Sequence, residues 1–308
     1  MRREGLYRAR ARPFLRSRDL SVTLGASPFR SLFRPSSHLP MPSPLSRPGV
    51  WNAVADGYTD ALVPLFARYA NDALRLAEVS AGDRVLDVAA GPGTLSLLAA
   101  ERGAEVVALD FADAMVAALR RRAEAEGAAV RTVSGDGQAL PFDDASFDRA
   151  FSMFGLIFFP DPGAGLREAY RVLRPGGRLA VSSWAPMDGV PLLRACFGAI
   201  ATHLTDFPFG EGTAPFGQPD DLRAAFEAAG FRDVEVHTST HETEAASAEA
   251  FWDVNERSSA PFALLRGAVP PEAWGDLRAT VIGAIERDLG AGPYAMAWPA
   301  LVAVGTRP

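Results

Sequence analysis

The sequence predicts an α/β protein with a doubly wound, seven-stranded and mostly parallel sheet that carries helical insertions. From Arg84 onward, short apolar runs typical of buried strands alternate with amphipathic segments of helical period. Connections that contain such a helix join parallel strands, because antiparallel neighbours need only a short turn. The 308 residues, 48% hydrophobic and 22% charged, have the composition of one large globular domain or two small ones.

The individual elements follow from hydrophobic period and from the residues that interrupt it. The helix after the first strand has Leu95, Leu98 and Ala99 on one face and ends at Gly103. The same spacing predicts helices at 94–102, 113–126, around 166–173 (ending at the sequence RPGG), and 220–229. The predicted strands are 84–89, 106–110, 130–134, 147–152, 178–184, 234–240 and 298–305.

Residues 1–48 differ from the rest of the chain, and their composition predicts a disordered basic N-terminal extension. The first 50 residues carry ten Arg against Glu4 and Asp19, and they are rich in Pro and Ser without a clear period. Such an Arg- and Ser-rich segment is similar to a transit peptide. The favoured alternative is a start at Met41, since a chain rich in Arg, Ala and Gly without lysine indicates a GC-rich genome.

The charge of the remaining chain argues against nucleic acid as a substrate. Beyond residue 50 there are 21 Arg and 35 acidic residues, and this net charge of −14 repels a phosphate backbone. No apolar run approaches the roughly 18 residues that a membrane span needs. The single cysteine, Cys196, excludes an intramolecular disulfide framework and indicates a reducing compartment, for which we predict the cytoplasm.

Composition also excludes several classes of catalytic site. The chain has no lysine, so neither a Schiff-base nor a general-base lysine is available. The four histidines are dispersed, at positions 38, 203, 237 and 241, so no metal site is expected. His203 could act as a base, but a lone histidine is more often structural, and no catalytic residue is assigned.

The stretch VLDVAAGPGT combines a carboxylate in the first strand with a glycine turn after it. Gly91 and Gly93 let the backbone turn sharply and approach a ligand closely. A nicotinamide or flavin fingerprint needs a third glycine where this chain has Ser96, and Asp87 would repel a pyrophosphate. Both features argue against a nicotinamide-dependent oxidoreductase, which is kept as one alternative function. A non-catalytic cofactor-binding protein is another.

Two further carboxylates follow the second and third strands. Asp110 can accept hydrogen bonds from both hydroxyls of a ribose. Asp136 can accept from an exocyclic amine such as that of adenine, or it can close an Asx-turn in its own loop. Since ligands of such sheets bind beyond the carboxyl ends of the strands, these residues are expected to line the site.

Four motifs in succession resemble those of class I S-adenosylmethionine-dependent methyltransferases: VLDVAAGPG, ALDFA, GDGQALPFDDASFD and EAYRVLRPGGRLAVSSW. The resemblance covers residues 51–184 and continues more loosely to the last strand. It is closest to the small-molecule group that includes the ubiquinone and menaquinone C-methyltransferases. It implies a Rossmann-like methyltransferase domain over residues 49–308, with S-adenosylmethionine as cofactor, and it says little about the methyl acceptor.

The resemblance also implies roles for individual residues. Asp87 orders the turn and the ammonium end of the cofactor, Asp110 takes the ribose, and Phe111 flanks the adenine. The implied cofactor-binding residues are Asp87, Ala89, Gly91, Gly93, Asp110, Phe111, Met115, Asp136, Gly137, Ser152 and Met153. Ala89 stands where the family commonly has glycine, a difference of one methyl group.

Segments outside the alternation are expected to cover the site. The helix beginning near Trp51 either closes over the cofactor or packs its aromatic face on the sheet. The insertion 185–217 is predicted to cap the substrate, whereas the helical insertion 246–296 is predicted to serve as scaffold or as a homodimer contact.

The apolar side chains of the first insertion predict an uncharged, apolar small-molecule acceptor, either a quinone precursor or a secondary metabolite. Its predicted contacts are Tyr58, Phe154 and Phe197.

Overall fold

The computed structural model describes residues 43–186, 189–204 and 215–308, and most of the predicted basic extension lies outside these ranges. Within them the chain forms a sheet of seven strands: β1 Arg84–Val88, β2 Glu105–Asp110, β3 Val130–Ser134, β4 Phe147–Met153, β5 Leu173–Trp184, β6 Arg232–Ala245 and β7 Tyr294–Thr306. The strand order is β3-β2-β1-β4-β5-β7-β6. Only β7 runs antiparallel to its neighbours β5 and β6. The predicted mostly parallel, doubly wound sheet is confirmed.

Helices cover both faces of this sheet. In the described ranges they are α1 Pro48–Leu76, α2 Thr94–Glu101, α3 Asp113–Glu126, α4 Pro162–Val172, α5 Pro191–Ala201, α6 Pro219–Ala228, α7 Ala248–Ser258, α8 Ala260–Ala268 and α9 Trp274–Leu289. α1 and α2 pack on one face through residues such as Ala73 and Leu95. α4 and α6 pack on the other face through Leu166 and Phe226.

The strand order places a switch point between β1 and β4. The chain winds outward from β1 to β3 on one side and from β4 to β5 on the other. At this point the helices that follow the two central strands lie on opposite faces, and a crevice opens beyond the carboxyl ends of the strands. Asp87, Asp110 and Met153 all lie at this edge.

The two insertions form one helical unit. Cys196 and Ile200 of α5 are fully buried in the same apolar cluster as Trp252 of α7 and Ile285 of α9. The sequence predicted separate roles for the two insertions, whereas the described part of the first packs into the core of the second. That core cannot be seen in the sequence, because its halves lie about fifty residues apart.

Some boundaries differ from the sequence prediction. β5 begins at Leu173, five residues before the predicted strand. The RPGG turn is held by Arg307, whose backbone accepts from Gly176 N at 2.8 Å and donates to Gly177 O at 2.9 Å. This pairing depends on the far end of the chain, so local period does not reveal it.

The ordered fold also begins earlier than residue 49. Leu45 is 1% exposed, its carbonyl accepts a hydrogen bond from Trp51 Nε1 at 2.8 Å, and Ser46 Oγ donates to Phe158 O at 2.7 Å. Among the described residues, no helix has both the length and the apolar character needed to cross a membrane.

Candidate active site

The turn between β1 and α2 is built from left-handed backbone. Ala89, Gly91 and Gly93 have φ of 58°, 55° and 79°. A Cβ added at Gly93 would lie 2.5 Å from Leu119 Cγ, so glycine is required there by packing as well as by conformation. A Cβ at Gly91 would meet nothing within 4 Å. Gly91 therefore presents bare backbone to open space in front of the sheet.

Asp110, at the end of β2, fastens this turn. Its Oδ2 accepts from Gly91 N at 2.8 Å, and its Oδ1 accepts from Ala112 N at 2.8 Å. The carboxylate is only 5% exposed, and burial raises its pKa although the amide hydrogen bonds act in the opposite direction. An ionised carboxylate has about four lone-pair sites, so Asp110 can accept from a ligand while it holds the turn.

Asp87, in β1, is the more deeply buried acid. It is 1% exposed, and its Oδ2 accepts from Ser96 Oγ at 2.6 Å. Burial raises its pKa to about 7, with a further increase from the negative charge of Asp110. Ser96 occupies the position where a nicotinamide fingerprint has glycine, and here its hydroxyl donates a hydrogen bond to the Asp87 carboxylate.

A cavity lies between α1 and this turn. Its lining comprises Tyr58, Phe66, Ala70, Asp87, Ala89, Ala90, Gly91, Pro92, Thr94, Leu95 and Met153. It contains about 370 Å³ of space between atoms, including open solvent at its mouth. The structure therefore brings together Tyr58, Asp87, Ala89, Gly91 and Met153 from the predicted set.

Two aromatic residues of α1, Tyr58 and Trp51, have different surroundings in the structure. Tyr58 lines the cavity and stacks on Phe66, with ring centroids 5.5 Å apart. Burial, and then the charge of Asp110, raise the pKa of Tyr58, so its hydroxyl is a hydrogen-bond donor at neutral pH. Trp51 instead packs against Phe158, 5.0 Å away.

Sequence reasoning missed Phe66 and Ala70, which share the cavity with Tyr58. They follow Tyr58 by eight and twelve residues, so all three lie on one face of α1. This spacing was the available signal.

The remaining predicted residues lie around this centre rather than on it. Asp136 is exposed and accepts from Gln138 N at 2.8 Å, so it closes an Asx-turn. Gly137 is buried, and a Cβ there would lie 2.5 Å from Phe159 Cζ. Phe111 is 36% exposed beside Asp110. Met115 is 2% exposed and packs in a cluster with Val54 and Ala55, and it is not among the residues that line the cavity.

The end of β4 carries the residues predicted to face the reacting centre. Ser152 is 3% exposed, and its hydroxyl has no hydrogen-bond partner among the described residues. Phe154 packs in a cluster of rings with Phe66, Tyr69, Trp184 and Trp298. Phe197 lies elsewhere, against the core of the helical unit, so the structure does not bring it together with Phe154.

The comparisons with known proteins agree with this architecture. Residues 85–177 match a family model described as a methyltransferase domain. The chain is 40% identical over 179 residues to a demethylmenaquinone methyltransferase of Thermus thermophilus, covering 53% of this chain and 81% of that protein. The chain belongs to the class I S-adenosylmethionine-dependent methyltransferases.

Two further comparisons support the family and the fold. A demethylmenaquinone methyltransferase of Clavibacter sepedonicus is 38% identical over 173 residues, covering 52% of this chain and 70% of that protein. The crystal structure of a methyltransferase described as putative, from Bacillus halodurans, shares the fold with a TM-score of 0.53 and 21% identity. It covers 78% of this chain and 98% of its own.

The methyltransferase accordingly uses S-adenosylmethionine, and its residues fit that cofactor. Gly91 opens bare backbone onto the cavity, Asp87 offers a buried carboxyl group that can pair with a cation, and the buried hydroxyl of nearby Ser152 has no hydrogen-bond partner among the described residues. Among the described residues, no group of three or more His, Cys, Asp or Glu side chains is arranged to hold a metal ion.

Proposed function

We propose that this enzyme transfers a methyl group from S-adenosylmethionine to an uncharged, quinone-type aromatic small molecule. The observation that carries the proposal is the cluster of rings beyond the cavity, formed by Phe66, Tyr69, Phe154, Trp184 and Trp298. Met153 belongs to both the cavity lining and this cluster, so an acceptor on the rings would lie next to the cofactor. The names of the two relatives, which are demethylmenaquinone methyltransferases, support the same acceptor class.

We assign the cofactor contacts as follows. Asp87 binds the ammonium end, Asp110 the ribose, and Phe111 flanks the adenine with Asp136 and Gly137 at its edge. The turn containing Ala89, Gly91 and Gly93 lines the methionine part, and Ser152 and Met153 face the sulfonium region. We leave Met115 out of the contact set, since its burial beneath α1 supports a packing role.

The chemistry needs alignment of the acceptor with the methyl donor, and an uncharged acceptor must also release the proton that the methyl group replaces. Bound S-adenosylmethionine supplies a methyl group that is already activated on a sulfonium. The residues of the chain orient the acceptor and exclude water, and alignment of this kind is worth roughly 7–11 kcal/mol. Tyr58 closes the cavity from α1, and its hydroxyl, which stays protonated, donates a hydrogen bond. Phe154 contacts the acceptor, whereas the position of Phe197 supports a role in seating α5.

The setting of the reaction is also a proposal. The lone Cys196 is fully buried, and burial raises the pKa of its thiol, which suits a reducing compartment such as the cytoplasm. The charge of −14 beyond residue 50 supports a small-molecule acceptor over nucleic acid. A homodimer contact through the helical insertion stays a prediction.

A labelled-methyl assay tests the proposal. The enzyme is incubated with methyl-labelled S-adenosylmethionine and a short-chain demethylmenaquinone analogue, oxidised or reduced, with RNA and total protein in parallel. We expect the label in the quinone fraction alone. Label in RNA or protein would contradict the acceptor class.

The cofactor assignment has its own variant. Asp110→Ala should weaken S-adenosylhomocysteine binding about ten- to hundredfold. It removes a charge-assisted hydrogen bond to the ribose and the side chain that holds the turn between β1 and α2. Unchanged affinity by calorimetry would remove Asp110 from the site.

A further inference from the structure

Phe154 adopts a backbone conformation that a bulky residue rarely takes. Its φ is +55°, in the left-handed region, although it is neither glycine nor asparagine. It is the first residue after β4 and directly follows Met153, which lines the cavity. Strained residues of this kind persist only where the surroundings hold them, and they concentrate at functional sites.

A buried serine on the neighbouring strand holds this conformation. The backbone N–H of Phe154 donates to Ser182 Oγ at 2.9 Å. Ser182 is the β5 residue paired with Met153 in the parallel ladder, so its side chain meets the chain where β4 ends. Ser182 is 0% exposed, which leaves the amide no access to water if the hydroxyl is removed.

This conformation sets the position of the Phe154 ring. The centroid of this ring lies 4.2 Å from the ring centroid of Trp184, which is two residues beyond Ser182, and 5.1 Å from the ring centroid of Phe66. Phe66 also lines the cavity. The left-handed turn thus packs the Phe154 ring, which is 5% exposed, against a side chain that lines the cavity.

We propose that Ser182 is a positioning residue for the methyl acceptor. It fixes the Phe154 backbone, so that Phe154, Phe66 and Trp184 form the wall on which a planar aromatic ring is held. This inference rests on the proposed function and deepens it, because it names the acceptor-binding wall and the group that shapes it. Ser182 itself touches neither reactant.

The strand provides a matched control in Ser183. It is also 0% exposed, and its hydroxyl makes a part-buried hydrogen bond, to the carbonyl oxygen of the exposed Pro215 at 2.6 Å, on the other side of the strand. Ser182→Ala and Ser183→Ala should both lower the melting temperature. Only Ser182→Ala should raise the KM for the short-chain demethylmenaquinone analogue, by about tenfold, the change that one lost buried hydrogen bond can cause. Affinity for S-adenosylhomocysteine should stay within twofold of wild type in both.

A double variant tests whether Ser182 acts through Phe154. Phe154→Leu removes the ring but keeps the backbone hydrogen bond, and should itself raise the acceptor KM. In that background Ser182→Ala should have no further effect on the acceptor KM. An equal tenfold increase there, or equal effects of the two serine variants, would overturn the inference.

The failure of the inference can be told apart from the failure of the proposed function. If the wild type methylates the analogue and Ser182→Ala leaves its KM unchanged, only the positioning role is wrong. If the wild type binds S-adenosylhomocysteine but neither methylates nor binds the analogue, the acceptor class is wrong, and the inference is refuted with it.

Discussion

At the scale of single residues, the two buried acids of the site, Asp87 and Asp110, differ in their hydrogen bonds. Asp110 is tied to backbone amides on both oxygens, whereas the hydrogen bonds to the Asp87 side chain come, among the described residues, from Ser96. Asp87 therefore has the weaker compensation for its burial, and its pKa rises to about 7. Near neutral pH it can lose a proton when a cation arrives.

This difference predicts a pH-dependent affinity for the cofactor. A bound ammonium favours ionised Asp87, so binding below pH 7 must release the proton, and affinity for S-adenosylhomocysteine should fall from pH 7 to pH 5.5. Titration calorimetry in buffers of different ionisation enthalpy would measure both effects. Asp87→Asn should bind weakly with no such slope. Equal wild-type affinity at the two pH values would contradict the role of Asp87.

The same raised pKa affects stability without ligand. The folded protein keeps Asp87 protonated where the unfolded chain, with the ordinary value of 3.8, has lost the proton. This residue's contribution to the free energy of unfolding should therefore fall as pH rises from about 4 to 7, opposite to the usual behaviour of a paired aspartate. Asp87→Asn removes this contribution.

A second residue-scale feature explains the unusual alanine of the glycine turn. Ala89 is left-handed, yet its methyl group has room because residue 155 is glycine. A Cβ on Gly155 would lie 2.4 Å from Ala89 Cβ. The two positions are therefore complementary, and the methyl group that departs from the family pattern is accommodated by packing.

Unfolding of the wild type, of the single variants Gly155→Ala and Ala89→Gly, and of the double variant tests this pairing. Gly155→Ala alone should lower the free energy of unfolding by about 1–3 kcal/mol, because the added methyl overpacks a filled space. Adding Ala89→Gly should recover most of that loss, since glycine both vacates the space and tolerates the positive φ. Additive effects in denaturant titrations would show that the residues do not share this space.

At the scale of elements, α1 is bound to the start of α3. The N-cap position of α3 is Ala112, whose side chain cannot cap a helix. Asn52 of α1 supplies the missing acceptor, since its Oδ1 accepts from Ala114 N at 2.9 Å. Arg121 and Asp56, 2.8 Å apart, form an exposed second contact between the two helices. These contacts hold α1 against α3, the helix that follows Asp110 and Phe111.

We expect Asn52→Ala to destabilise the protein by about 1 kcal/mol, the usual cost of a lost cap. It should also weaken S-adenosylhomocysteine binding a few-fold, because Tyr58 on the same helix closes the cavity. Asn71→Ala is the control, since Asn71 lies on α1 and contacts Ala67 O and Arg102 away from the cavity. Equal loss of cofactor affinity in both variants would mean that α1 acts only through overall stability.

At the scale of the whole molecule, what the sequence predicts well is local. Strands β1 to β4 and helices α2 and α3 were predicted to within one or two residues, because period and terminal glycines define them. Asp87 and Gly91 line the cavity, and they belong to one short motif, so their assignment as cofactor contacts also needs only local sequence. What local patterns cannot predict depends on distant partners, such as the hydrogen bond from Phe154 to Ser182 or the shared core of the two insertions.

The N-terminal boundary of the fold yields the last prediction, from two truncations that differ by seven residues. Deleting residues 1–40 should leave the melting temperature and cofactor affinity unchanged, because that composition cannot support a packed core. Deleting residues 1–47 removes Leu45, buried under α1 beside Met115, and the bond from Ser46 to Phe158 O. Burial of one leucine is worth about 1.5–3 kcal/mol, so this truncation should melt roughly 5 °C lower. Equal melting of both truncations would place the start of the fold at α1, and a loss on the shorter deletion would show that residues 1–40 stabilise the domain.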